Sequence, residues 1–217
     1  MPKFVDAALR RQDVVEAAFR IIAADGLERV SLREVADEAS LAVGSVRHYF
    51  ASSDELLVHS FRVVVDRVIG RLSAADARLA GLVPGTAGHH HGVLALLGEF
   101  LPLDEARAVD ACVWMAFKNA ARIRPVLAAE ADRSHRGVAA IVGRVVMDLG
   151  ARGAAPDQQK LVIEAERLLA TLDGLTMHAL LQPEWMTAQM CRDVLDAHLA
   201  GLDSSGASPA RSNAASH

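Results

Sequence analysis

Residues 26–57, GLERVSLREVADEASLAVGSVRHYFASSDELL, constrain this chain more than any other stretch. Gly26 can take the positive φ that closes a preceding helix, and Ser31 followed by Glu34 is a capping box that starts a new one. Leu32, Val35, Ala36 and Ala39 fall on one face of that short helix. A break at Ala39-Ser40-Leu41 precedes a second short run ending in Tyr49-Phe50. Helices this short do not stand alone in water. Arg11–Asp25 supplies the support, with Val15, Ala18, Phe19 and Ile22 spaced as an apolar stripe. The layout is that of a helix-turn-helix: two short helices joined by a tight turn and packed on a third.

Four segments in order along roughly 10–60 resemble the tetracycline-repressor (TetR) family of bacterial transcription regulators. They are the AAF-x-II-x2-DGL end of the first helix, VSLREVADEA, LAVGSVRHYF and SSDELL. The stretches LLGEFLPLDEARAVDACVWMAFKNAA and LDGLTMHALL resemble the C-terminal part of one branch of that family. The resemblance implies an all-α protein: a three-helix helix-turn-helix domain over 1–53, then a larger helical ligand-binding and dimerisation domain over 54–202. It also implies DNA contacts at Val43, Ser45, Arg47, His48 and Tyr49. The residue types suit that role. Gly44 lets a backbone approach closely, and Ser45, Val46, Arg47 and His48 are short or polar enough for a major groove of about 12 Å. Ser31 is placed both to cap its helix and to bond phosphate, with Arg33 the nearest cation.

The formal net charge is −4 and only 4% of residues are aromatic, and no sustained alternating strand pattern is present. Residues 1–60 are themselves acidic. Lys3, Arg10, Arg11, Arg20, Arg29, Arg33 and Arg47 stand against Asp6, Asp13, Glu16, Asp25, Glu28, Glu34, Asp37, Glu38, Asp54 and Glu55. DNA binding must therefore rest on local placement, with a modest salt dependence. That balance, and the lack of basic residues at 51–53, motivates an alternative: a helical binding protein that keeps the fold but no longer reads DNA.

Cys112 and Cys191 lie far apart within apparent helices, so a disulfide framework is not expected and a reducing cytoplasm fits. No apolar run reaches the roughly 18 residues that a membrane span needs. The periodic segment Asp54–Leu82 predicts one long helix, 83–92 a loop, and 93–101, 104–123, 126–150, 157–182 and 184–202 further helices bounded by prolines. The tail 203–217 is too small and polar to bury anything and is expected to be disordered.

His89, His90 and His91 in a Gly-rich stretch do not converge on one ion, so no metal is expected, nor any cofactor. GxSxG, HExxH and Glu-x-x-His spacings are all missing, and no enzymatic role is expected. Trp114, Phe117 and Ala121 share a helical face next to Met115, a mixture that either fills a core or lines a pocket. Core packing is the commoner meaning of such a stripe, and family analogy raises the pocket reading for Trp114 or Phe117. Asn119, Thr176 and His178 are polar groups that could orient a ligand, though spacing alone does not select them. The apolar helices within 157–202 are expected to close a four-helix bundle with a second copy, because a palindromic operator needs a two-fold protein.

Overall fold

The computed structural model describes residues 7–150 and 158–205, and all regular structure among them is helical. The expected chain break at 153–156 and residues 206–217 of the expected tail lie outside the described residues. No helix among them is long and apolar enough to cross a membrane.

Helix α1, Ala7–Asp25, buries Val14, Val15, Ala18, Phe19 and Ile22. Gly26, at φ 86°, lets the chain turn out of it into a short 3-10 segment, Leu27–Arg29. α2 (Leu32–Glu38) starts where Ser31 Oγ accepts the Glu34 amide at 3.1 Å. The reciprocal half of the expected capping box is replaced by an ion pair, for the Glu34 carboxylate stands 3.7 Å from Arg29. α3 spans Val43–Tyr49 and α4 spans Ser53–Leu79. A variant of the capping box opens α4: Ser52 Oγ accepts the Glu55 amide, and the Glu55 carboxylate reaches past the N-cap to accept the Ala51 amide at 2.8 Å.

α4 joins two apolar cores. Its first half puts Leu56, Leu57, Phe61, Val64 and Val65 into a cluster with α1, α2 and α3, to which Val113, Phe117, Ala120 and Leu127 also belong. Its second half puts Val68, Leu72, Ala75 and Leu79 into another with α5 (Ala87–Gly98), α7 (Ala128–Gly150), α8 (Gln158–Leu181) and α9 (Ala188–Ser205). α6 (Glu105–Ala121) therefore finishes inside the first core, although it lies far along the chain. The packing boundary does not fall at residue 53.

Three predicted boundaries move for local reasons. α5 begins at Ala87 because Thr86 Oγ1 accepts the His89 amide, so the histidines expected in a loop occupy a helix start. They do not converge: His89 is buried with its Nδ1 unpartnered, His90 Nε2 lies 2.6 Å from Asp196, and His91 Nδ1 lies 2.7 Å from the Ala87 carbonyl. α9 begins at Ala188, where Thr187 Oγ1 accepts the Met190 amide. Trp185 is left 74% exposed in the turn rather than on a buried helical stripe. α9 also continues to Ser205, so 203–205 are helical rather than part of the tail.

Candidate DNA-reading face and ligand cavity

The turn between α2 and α3 closes through two bonds, Leu41 N–H to the Ala36 carbonyl at 2.8 Å and Ser40 N–H to that of Asp37 at 3.1 Å. This is a Schellman ending, with Ser40 holding the left-handed position at φ 54°. It aims α3 so that Val46 is wholly buried while Gly44, Ser45, Arg47 and His48 are exposed. Val43 and Tyr49 are half-buried against the core. Val46 is thus a correction: it anchors the helix from beneath and cannot reach a groove. Phe50 is buried under Arg11, whose guanidinium sits 5.0 Å from the ring centroid, with His59 beside it.

Several of the acidic residues among the first sixty are held in internal pairs, two of them by cations from later in the chain. Glu16 pairs with Arg67, Glu28 with Arg124 at 2.6 Å, Glu34 with Arg29 and Glu38 with Arg20. Arg33 and Arg47 are exposed and form no ion pair among the described residues. An exposed cation, Arg47, thus remains on α3.

Two cavities lie among α4, α6, α7 and α8. The inner one holds about 40 Å³ and is lined by Arg71, Glu99, Phe100, Arg107, Trp114 and Thr176, among others. The outer one holds about 230 Å³ and is lined by Phe100, Trp114, Lys118, His135, Glu166 and Asp173 with their apolar neighbours. Phe100 and Trp114 form a shared wall. Each volume alone falls short of the roughly 300–1,000 Å³ of a drug-sized site.

The expected ligand residues divide. Trp114 lines both cavities, and Thr176 lines the inner one, donating to the Phe100 carbonyl at 3.4 Å. Phe117 is a correction: it is fully buried and stacked on Phe61, because its side of α6 faces the first core rather than the cavities. Asn119 is exposed and lines a different recess, an open apolar groove of about 700 Å³ between Ile22 and Gly26, the outer side of α6, and Met177 and Leu181 of α8. His178 is exposed and lines none of these cavities, since it lies on the opposite side of α8 from Asp173. Sequence reasoning missed Phe100 of the shared wall and the charged residues, among them Arg71, Glu99 and Arg107 of the inner cavity and Lys118 and Glu166 of the outer one. Asp110, sitting in the otherwise apolar AVDACVW run, was the available signal.

Fold and site together define a helix-turn-helix reader carried on a helical domain with an internal cavity. Residues 14–59 match the family described as bacterial regulatory proteins, tetR family, and residues 89–204 match the C-terminal domain of the BetI-type transcriptional repressor. The HTH-type transcriptional regulator PksA of Bacillus subtilis is 33% identical over 202 residues, spanning 93% of this chain and 94% of the relative. A transcriptional regulator from Rhodococcus sp. Rha1 superposes with a TM-score of 0.75 at 28% identity, over 92% of this chain and 99% of that one. The multidrug binding protein EbrR, complexed with ethidium, gives 0.58 at 29% identity over 87% and 97%. The chain belongs to the TetR family, and it is a ligand-responsive, DNA-binding transcriptional regulator.

Proposed function

We propose that the protein is a dimeric repressor that holds a palindromic operator through α3 of each subunit and is released by a small molecule entering between α6, α7 and α8. The observation that carries this reading is the outward face of α3, where Gly44, Ser45, Arg47 and His48 stand clear of the buried anchors Val46 and Phe50. Arginine can bind guanine through O6 and N7, and Tyr49, at the edge of the face, can donate to phosphate. Ser31 and Arg33 support a second phosphate contact.

Dimerisation through 157–202 is supported by an unpartnered apolar stripe on α8: Ile163, Ala170, Gly174, Met177 and Leu181 recur at three-, four- and seven-residue steps, and Leu181 is 72% exposed. Met190 and Val194 extend it on α9. Two such helix pairs close a four-helix bundle. The open groove shares Met177 and Leu181 with this stripe and the outer cavity shares Ala170, which favours the inner cavity as the centre of the effector site. A ligand that prefers the conformation with wrongly spaced α3 helices lowers DNA affinity by its differential affinity for the two states. Such a protein works in the cytoplasm, beside the chromosome, without cofactor or turnover.

The test is a footprint of the purified protein on DNA flanking its own gene and across the genome. Two protected half-sites about 10 bp, or a multiple of that, apart are expected. No protection anywhere would overturn the reading and leave a helical binding protein that does not read DNA.

A further inference from the structure

A line of alternating charges runs from the DNA-reading domain to the inner cavity. Glu16 of α1 pairs with Arg67 of α4, and Arg67 Nη1 lies 3.5 Å from Asp110 of α6. Arg71, one turn along α4 from Arg67, donates to the other Asp110 oxygen at 2.6 Å. Beyond it, Arg71 Nε and Arg107 Nη1 approach the same Glu99 oxygen at 3.6 and 3.5 Å. Asp110 is only 5% exposed and does not line the cavity, whereas Arg71, Glu99 and Arg107 do. Arg71 Nε is buried with no hydrogen-bond partner, because 3.6 Å is too long for one.

We propose that Arg71 is the effector's point of leverage: an anionic or hydrogen-bond-accepting group in the inner cavity engages Arg71, competes with Asp110 for it, and thereby loosens Glu16 and α1 from α4. This deepens the proposed function and rests on it. Arg71 lines the cavity beside a second arginine, Arg107, and its Nε keeps a donor with no hydrogen-bond partner, only the long ion pair with Glu99. A buried carboxylate cannot lose one of its two cations without replacement, since the uncompensated charge is costly. Asp110 then draws on Arg67, and Arg67 is the residue that holds Glu16 while its guanidinium lies 5.0 Å from the Phe19 ring centroid in α1. The same three helices that carry these charges thus have two arrangements, one with Arg67 shared with Glu16 and one with Arg67 drawn to Asp110. Both the effector and DNA bias that choice.

The experiment is a double-mutant cycle on the full-length protein with Glu16→Gln and Arg71→Gln, residues with no direct contact, read by denaturant unfolding and by affinity for the footprinted DNA. The combined change in the unfolding constant is expected to differ at least threefold from the product of the single changes. The cycle of Glu16→Gln with Lys118→Ala, whose ion pair with Asp173 lies outside the line, is expected to multiply simply. Arg71→Gln should also lower DNA affinity with no effector present. Arg71→Lys, which keeps the charge but not the fork, replaces it in the cycle if the glutamine variant does not fold. Simple multiplication in the Glu16–Arg71 cycle, or unchanged DNA affinity of the Arg71 variant, overturns the proposal. Absence of DNA binding by the wild type instead overturns the repressor reading, and the unfolding cycle still reports on the charge line.

Discussion

Phe117 of α6 lies flat on Phe61 of α4, with ring centroids 4.8 Å apart and planes within 7°. Trp114, one turn earlier on the same helix, forms the wall between the two cavities. A single helical turn of α6 therefore serves the core under the DNA reader and the cavity wall. A ligand that pushes Trp114 aside presses on the helix that carries Phe117.

The two rings should respond differently to truncation. Phe117→Ala is expected to cost about 3–5 kcal/mol of stability, as for a fully packed aromatic. Trp114→Ala, which borders empty space, is expected to cost less and to alter ligand-induced DNA release. Thermal melts alongside release assays check this, and equal destabilisation by the two substitutions would contradict the placement of Trp114.

Arg47 is expected to carry recognition on α3. Arg47→Ala should weaken operator binding by about 1–3 kcal/mol, with relaxed preference at one base if it reads guanine and a uniform loss over sequences if it holds phosphate. Competition assays with single-base operator variants separate the two. Stability should hardly change, because the side chain is exposed and unpaired.

Ser40 occupies a backbone conformation that suits glycine. Ser40→Gly is expected to raise stability by about 1 kcal/mol, as relief of the left-handed strain exceeds the entropic cost of glycine. Chemical denaturation measures it. A loss of stability would mean that the serine side chain contributes something the turn geometry does not reveal.

The α8 stripe makes a prediction about assembly. Leu181→Asp and Gly174→Glu should each yield monomers at micromolar concentration in sedimentation, with helical content retained. A wild-type monomer under those conditions would remove the interface from α8.

His59 gives a pH dependence with a definite sign. Burial, and the nearby cations Arg11 and Arg62, lower its pKa from the ordinary 6.5, against smaller opposing effects of Glu55 and Asp66. The folded state therefore disfavours the proton that the unfolded state accepts. Stability is unaffected well above pH 6.5 and is lost as pH falls from 6.5 through the folded value. Denaturant midpoints at about pH 7.5 and about pH 5.5 should show a smaller drop for His59→Gln than for the wild type. An equal drop would assign the acid sensitivity to other groups, His198 among them, whose pKa is also lowered by burial.

The helix-turn-helix was legible because its signals are local. Ser31 caps within three residues, Gly26 and the break after Ala39 act on their own backbone, and the stripe on α1 repeats at helical spacing. Those signals also specified the all-α class and the exposed polar face of α3. They could not tell Val46 from its neighbours, since in a seven-residue helix one position separates the groove face from the core. The start of α5 at Ala87 was hidden by Pro84 and the glycines around a threonine cap that a loop reading overlooks.

Tertiary structure decided what depended on distant chain segments. Periodicity placed Trp114 and Phe117 on the same side of α6, yet α4 changes core between Val65 and Val68, so the turn with Phe117 meets Phe61 and the turn with Trp114 meets a cavity. The pairing of Asp110 with Arg67 and Arg71 spans about forty residues, and no local rule links them. The sequence alone determined which faces are apolar and, where a cap was recognisable, where a helix begins, because those depend on neighbours within a turn or two. Which face meets a core, a cavity or another charge is set when helices far apart in the chain close on one another.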